Sequence, residues 1–188
     1  IAVLIRNENQ HSGDYASIKD TSRPGHADFT YFEKYGIRDY RGGGRSSGRE
    51  TAARVAAGAI AQMMLSTAGI SITAYTKRAA GISCTSFDAS EIEHNTMRAP
   101  DKEAALRMAA KIETLRKQGD SAGGIIECIV HGVQPGLGEP VFDKLDAVLA
   151  QAMLSIGAVK GIEFGSGFDC ADMTGSSCND GMRSQSAT

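Results

Sequence analysis

The chain has 188 residues and a formal net charge of −2, with 41% hydrophobic and 22% charged residues. This composition is typical of a globular domain and excludes a disordered or collagen-like chain. The small net charge argues against a surface built for nucleic acid. The sequence contains no apolar run of about eighteen residues, so no membrane-spanning helix is predicted. We therefore expect one domain over residues 1–188.

In chain order the predicted elements are a strand over 1–6, a helix over 49–67, a strand over 70–76, a helix over 101–118, a strand over 124–131, a helix over 141–156 and a strand over 159–164. Ser46 or Ser47 is the expected N-cap of the first helix. The strands mix apolar and polar faces, which favours a half-covered, largely antiparallel sheet over a buried parallel one. The predicted fold class is α+β, with amphipathic helices packed on that sheet.

Two segments lack periodicity. Residues 7–44 are polar and rich in Gly, Asp and Arg, and a loop of that length in a compact domain is usually functional or disordered. Residues 165–188 are poor in apolar side chains, so we expect a loosely ordered tail. The chain begins with a short apolar run that contains no Met and is followed at once by polar residues, which predicts a piece of a longer chain and no signal peptide.

The four cysteines include no Cys-x-x-Cys pair, and the closest two, Cys170 and Cys178, are eight positions apart. This spacing does not fit the usual zinc sites. We expect reduced thiols in a cytoplasmic protein that binds no metal.

The densest chemical motif is RDYRGGGRSSGRET over residues 38–51, in which four arginines surround a triple glycine. Glycines let the backbone approach a ligand closely, and the start of the following helix offers free N–H groups and a partial positive charge. The arginines add donors for carboxylate or phosphate. The motif therefore predicts a site for more than one anionic group. A solvated loop in which a serine only caps the helix is the alternative.

Other motifs fit this loop poorly. It lacks the Lys of the Walker pattern, and Ser47 stands where the dinucleotide fingerprint has its last glycine. The run GRSSG over 44–48 matches the nucleophile elbow of serine hydrolases, but that motif needs a preceding apolar strand, and residues 38–43 are polar and rich in glycine. A hydrolase that uses Ser46 remains an alternative.

His26 is the candidate proton donor. It lies in the run RPGHAD over residues 23–28, two positions from Asp28 and three from Arg23, and both charges are close enough in sequence to tune its chemistry. A plain surface histidine is the alternative reading. The other three histidines have no such context.

These motifs resemble the chorismate synthase family. Four stretches match its pattern in order: RPGHAD at 23–28, KYGIRDYRGGGRSS at 34–47 with the helix to 61, GLGEPVFD at 136–143, and SIGAVKG at 155–161. The resemblance covers about residues 1–170 and corresponds to the middle of the family's chain. We expect the family's N-terminal part, with its Gly-Glu-Ser-His-Gly motif, and its C-terminal part to be missing. Gly48 departs from the pattern, which usually has Ala there.

The resemblance implies a β-α-β sandwich, a homotetramer and a lyase of the shikimate pathway, which leads to the aromatic amino acids. The family eliminates phosphate from 5-enolpyruvylshikimate 3-phosphate in the anti sense to give chorismate, using reduced FMN (FMNH2) without net redox change. The resemblance leaves open whether NADPH reduces the flavin on this protein. The implied partners are the phosphorylated small molecule and further copies of the chain, with no nucleic acid or membrane. A truncated, catalytically inactive core that at most binds anions is the alternative.

The resemblance also implies roles for single residues. His26 would protonate or hold the reduced flavin, and Arg23 and Arg49 would face the anionic groups of the substrate. The expected FMN contacts are Arg45, Ser46, Ser47, Gly157 and Ala158.

Overall fold

The computed structural model describes residues 2–8, 11–41 and 47–181. The chain divides into two compact units, one formed by Ile1–Ala56 with Pro135–Thr188 and the other by Ala57–Gln134. The single domain expected over 1–188 and the loose tail expected over 165–188 stay predictions.

The unit Ala57–Gln134 contains a three-stranded antiparallel sheet. Its strands are β1 (Ser71–Ala79), β2 (Ile82–Ser83) and β3 (Gly124–His131), in the order β2-β1-β3. Both pairings are antiparallel, which confirms the predicted type of sheet. Ala80 and Gly81 join β1 to β2 with φ values of 50° and 81°. Positive φ at both residues of a two-residue loop matches the twist of a tight hairpin.

Four α-helices lie within the described residues: α1 (Asp28–Tyr35), α2 (Thr51–Thr67), α3 (Lys102–Lys117) and α4 (Leu145–Leu154). Short 3-10 turns cover Ser12–Ile18, Gly48–Glu50, Ala89–Glu93 and Gly167–Asp172. Helices α2, α3 and α4 match the three predicted from apolar spacing. Helix α1 falls in the segment 7–44, which was expected to lack periodic structure, so that expectation is wrong for these residues. None of the helices within these residues is long and apolar enough to cross a membrane.

The strands predicted over 1–6 and 159–164 do not form in the described residues. A strand needs a neighbouring backbone for its N–H and C=O groups, and among the described residues the sheet is formed by β1, β2 and β3 alone. The apolar run at the start is largely exposed, since Leu4 is 82% accessible. A short apolar run predicts burial, but it does not supply the partner that makes a strand.

The core of the unit Ala57–Gln134 is small and lies where α3 meets the sheet. Met108 and Ala104 of α3 are fully buried, beside Ala79 of β1 and Ala99. This result confirms that the amphipathic helix predicted over 101–118 packs on the sheet. By contrast, α2 and α4 contain no buried residue, so their apolar sides are only partly covered by the described part of the chain.

Helix α3 begins at a buried carboxylate. Asp101 is 4% exposed, and its Oδ1 accepts the backbone N–H of Ala104 at 2.9 Å. Its Oδ2 accepts the N–H of Thr85 at 2.8 Å and that of Ser86 at 3.2 Å. These N–H donors, Ala104 first, hold the pKa of the Asp101 carboxyl well below its usual range. The carboxylate therefore joins the start of α3 to the residues that follow β2.

Asp101→Asn is expected to lower the Tm at neutral pH by about 5 °C, because one carboxylate oxygen becomes an NH2 group facing N–H donors. The folded pKa of Asp101 lies below the unfolded value, so the carboxylate stabilises the protein above about pH 4 and this stabilisation is lost as the pH falls further. Thermal unfolding followed by circular dichroism at several pH values should show the two Tm curves converging in acid. Asp120→Asn, at an exposed residue beyond α3, is the matched control. A gap that stays constant with pH would contradict this prediction.

Candidate functional site

The motif over residues 23–28 folds into a compact charged cluster at the start of α1, here called the Asp28 cluster (Arg23, His26, Asp28, Arg38). Asp28 is the first residue of α1 and is only 5% exposed. Its Oδ2 accepts Nε of Arg23 at 2.9 Å and the backbone N–H of Arg23 at 3.1 Å. Its Oδ1 lies 2.8 Å from Nδ1 of His26. Asp28, one of the two charged sequence neighbours proposed to tune His26, therefore contacts its ring, and Arg23, the other, binds Asp28.

Arg38 completes the cluster from ten positions along the chain. Its Nη1 lies 2.7 Å from Oδ2 of Asp28, and its side chain is 12% exposed. Its Nη2 donates to the carbonyl oxygens of Ile18 and Thr21, at 2.9 Å each, and also to that of Lys19. Arg38 was predicted as part of an anion-binding loop, but here it binds groups of its own chain. It fixes the segment before the motif against α1.

The charges of the cluster stabilise one another. The hydrogen bonds from Arg23 hold the pKa of Asp28 well below its usual range, against the opposing effect of burial. The same contact raises the pKa of Arg23, whose guanidinium also lies 5.7 Å from the ring centre of Tyr15. Asp28 is therefore ionised at neutral pH and accepts hydrogen bonds only.

A second group of predicted residues lies where α2 begins. The Ser47 hydroxyl accepts the backbone N–H of Arg49 at 3.3 Å, which caps the turn Gly48–Glu50 and confirms Ser47 as the cap. Arg49 donates through Nη1 to the side-chain oxygen of Asn7. The other predicted FMN contacts in this loop, Arg45 and Ser46, lie outside the described residues.

Arg54 joins the start of α2 to the last family stretch. Its Nε binds the carboxylate of Glu50 at 2.8 and 2.9 Å. Its Nη1 donates to Oγ of Ser155 at 2.8 Å, and its Nη2 donates to the backbone carbonyl of Ser155 at 3.1 Å. Ser155 stands two positions before Gly157, so the structure brings two predicted FMN-binding segments together although they are about a hundred residues apart in sequence.

The neighbouring Ala158 has a φ of 68°, in the left-handed region that residues with a Cβ rarely adopt. Nothing lies within 4 Å of the position that a Cβ on Gly157 would take. The backbone at 157–158 is therefore open and locally strained, and such strain is common where a backbone clamps a ligand.

Three contributors to these groups were not among the predicted site residues. Asp28 was noted as a neighbour of His26, not as the centre of the cluster, and Asn7 had no distinguishing pattern. Arg54 did have one: it is the only charged residue in the sequence of α2. A lone charge in a helix rich in alanine indicates a specific partner, but the sequence does not say that the partner is Ser155.

A protein-family model described as chorismate synthase matches residues 1–188. The chain belongs to the chorismate synthase family. Curated relatives agree: the chorismate synthase of Syntrophobacter fumaroxidans is 54% identical over 180 residues, covering 96% of this chain and 51% of its own length. That of Christiangramia forsetii is 53% identical and covers 100% of this chain and 54% of its own length. The chain thus spans about half the length of the curated relatives it matches.

A crystal structure of chorismate synthase has a TM-score of 0.75 to this chain at 34% sequence identity. The match covers 82% of this chain and 51% of the other. It confirms the family and the α+β class expected from the sequence. The motifs that carried the resemblance include the Asp28 cluster and the pair of segments joined by Arg54.

Proposed function

We propose that this protein acts as a chorismate synthase, a lyase that eliminates phosphate from 5-enolpyruvylshikimate 3-phosphate in the anti sense to give chorismate, with reduced FMN. Identity above 50% to curated chorismate synthases along nearly the whole chain supports the proposal. The observation that carries it is the Asp28 cluster, which holds a histidine 2.8 Å from a buried, ionised carboxylate. This is a suitable arrangement for a group that holds or moves a proton.

The residues at the start of α2 fit a flavin mononucleotide. Arg49 and Ser47 offer a positive charge and a hydroxyl at a helix start, where anions are stabilised. The open backbone at Gly157 and Ala158, held near α2 through Ser155, suits contact with a flat ring. We assign FMN to Arg45, Ser46, Ser47, Gly157 and Ala158. Bound reduced FMN would lend electron density transiently as the allylic phosphate leaves.

The chain's own side chains then have distinct tasks. Arg23 and Arg49 would face the phosphate and the two carboxylates of the substrate, because guanidinium groups match such anions in charge and geometry. His26 would hold an exchangeable proton beside the reduced flavin. Asp28 already binds Arg23, so Arg23 would meet the substrate with its orientation fixed.

The similarity to chorismate synthases also supports a cytoplasmic homotetramer, with NADPH as a candidate reductant of the flavin. Mass photometry of the purified full chain would test the tetramer. Flavin reduction by NADPH in the absence of any other reductant would test the second proposal.

The decisive assay is chorismate formation from 5-enolpyruvylshikimate 3-phosphate by the full chain, under anaerobic conditions with reduced FMN. We expect chorismate and inorganic phosphate in equal amounts. A folded chain that forms neither would favour the alternative, an inactive core that at most binds anions. Labelling of Ser46 by a fluorophosphonate would instead favour the serine hydrolase.

Arg45→Ala is expected to weaken FMN binding more than tenfold, because a hydrogen bond to a charged group contributes about 1.5–3 kcal/mol. Titration of the full chain with FMN, followed by flavin fluorescence, measures the Kd. The matched control is Arg107→Ala, at an exposed arginine of α3. Equal affinity in the Arg45 and Arg107 variants would remove Arg45 from the flavin site.

A further inference from the structure

The ring of His26 has two possible partners at one of its nitrogens. Nδ1 lies 2.8 Å from Oδ1 of Asp28 and 3.3 Å from Nη2 of Arg23. Nδ1 cannot do both at once: it donates to the carboxylate if it carries the proton, and it accepts from the guanidinium if it does not. The ion-pair contact with Asp28 is 0.5 Å shorter, and a lone pair on Nδ1 would be repelled by a carboxylate oxygen at 2.8 Å, so this contact determines where the proton lies.

The side chain of Asp28 cannot rotate away from His26. Its Oδ2 accepts the backbone N–H and Nε of Arg23 and also binds Nη1 of Arg38, so that oxygen already has three donors. Oδ1 is left for His26 and for Nη2 of Arg23, which lies at 3.1 Å. A buried, ionised carboxylate is an acceptor only, and the group opposite it must donate.

The second ring nitrogen remains the reactive one. Nε2 lies 3.2 Å from Nη2 of Arg23, and the side chain of His26 is 30% exposed. With its proton on Nδ1, a neutral ring presents a lone pair at Nε2, which takes up or returns a proton when a ligand arrives. The same nitrogen accepts a hydrogen bond from Arg23 in the meantime.

We infer that Asp28 is a positioning residue for His26: it fixes the neutral ring in the form that is protonated at Nδ1 and so leaves the lone pair at Nε2 to exchange a proton. Free histidine prefers the opposite form, with the proton on Nε2, so the cluster reverses the ordinary preference. The consequence for turnover rests on the proposed function, whereas the position of the proton does not.

The position of the proton can be measured directly on the wild-type protein. Nitrogen-15 NMR of the labelled full chain, at the alkaline end of a pH titration where the ring is neutral, distinguishes the two forms. The variant His26→Gln assigns the signal among the four histidines. We expect the Nδ1-protonated form, and a signal of the Nε2-protonated form would overturn the inference without any further variant.

Asp28→Asn should reverse the proton's position. The single amide oxygen will stay at the Oδ2 place, where both arginines donate, and this puts the NH2 group opposite Nδ1 of His26. Nδ1 must then accept, and the ring must carry its proton on Nε2. The control Asp39→Asn removes the same charge from an exposed carboxylate that binds Arg41, and it should leave the His26 signal unchanged. An unchanged signal in folded Asp28→Asn would also overturn the inference.

A double-mutant cycle separates positioning from a structural role. We expect Asp28→Asn to lower kcat about tenfold or more in the wild-type background and to have a clearly smaller effect in His26→Ala, where only its contacts with the arginines are left to lose. Equal losses in both backgrounds would show that Asp28 acts independently of His26. If the wild-type full chain makes no chorismate, the proposed function fails, while the NMR result still decides the inference about Asp28.

Discussion

On the proposed function, His26→Ala is expected to lower the rate of chorismate formation about 10²-fold or more while the fold stays intact, because His26 would be a positioned proton donor and such a group contributes about that much to a rate. The fold should survive because Asp28 keeps its contacts with Arg23 and Arg38 when the imidazole is removed. Steady-state kinetics of the full chain gives kcat, and circular dichroism checks the fold.

The control for this variant is His131→Ala, at the exposed end of β3 in the other compact unit. This variant should keep near-normal turnover. If His26→Ala also keeps it, His26 has no part in the reaction, whatever its contacts in the folded chain.

Arg38→Ala is expected to lower the free energy of unfolding of the unit that contains α1 by about 2–3 kcal/mol. The substitution removes one partner of the buried Asp28, and a broken buried ion pair is costly because it leaves charge without compensation. It also leaves the carbonyl oxygens of Ile18 and Thr21 without this donor. Four of the five tyrosines lie at positions 15–40, so urea unfolding followed by tyrosine fluorescence reports mainly on this unit.

Arg41→Ala is the matched control for Arg38→Ala. Arg41 is three positions away and binds Asp39, but its side chain is 65% exposed. Exposed pairs of this kind contribute less than about 1 kcal/mol, so we expect a small effect. Similar losses in the two variants would mean that burial of the Asp28 cluster does not determine its contribution to stability.

The sequence predicted the elements that carry their own local signals. Helix α3 has both an apolar side and a capping carboxylate, and it packs on the sheet as expected. Helix α1 could not be predicted in this way, because its first residue is held by Arg38, ten positions further on. Apolar periodicity carries no information about such ion pairs. The strands predicted at 1–6 and 159–164 have the converse problem: in the part of the chain that the structure describes, their local apolar signal meets no partner in the sheet.

In the candidate site, too, contacts between near sequence neighbours could be predicted and contacts between distant residues could not. Contacts among Arg23, His26 and Asp28 follow from their spacing within six residues, and the spacing did indicate them. The contact of Arg54 with Ser155 spans about a hundred positions, and nothing in either segment alone points to the other. The family resemblance indicated that both segments matter, whereas only the folded chain shows the side chain that joins them.

The partly exposed apolar sides of α2 and α4 also affect how the chain responds to heat. Because these side chains already contact water in the folded described residues, unfolding hydrates less new apolar surface than the chain length suggests. The heat-capacity increase on unfolding should therefore fall below the usual value of roughly 12–15 cal/mol/K per residue. A smaller increase flattens the curve of stability against temperature. The stability of this chain thus changes only gradually between cold and warm conditions.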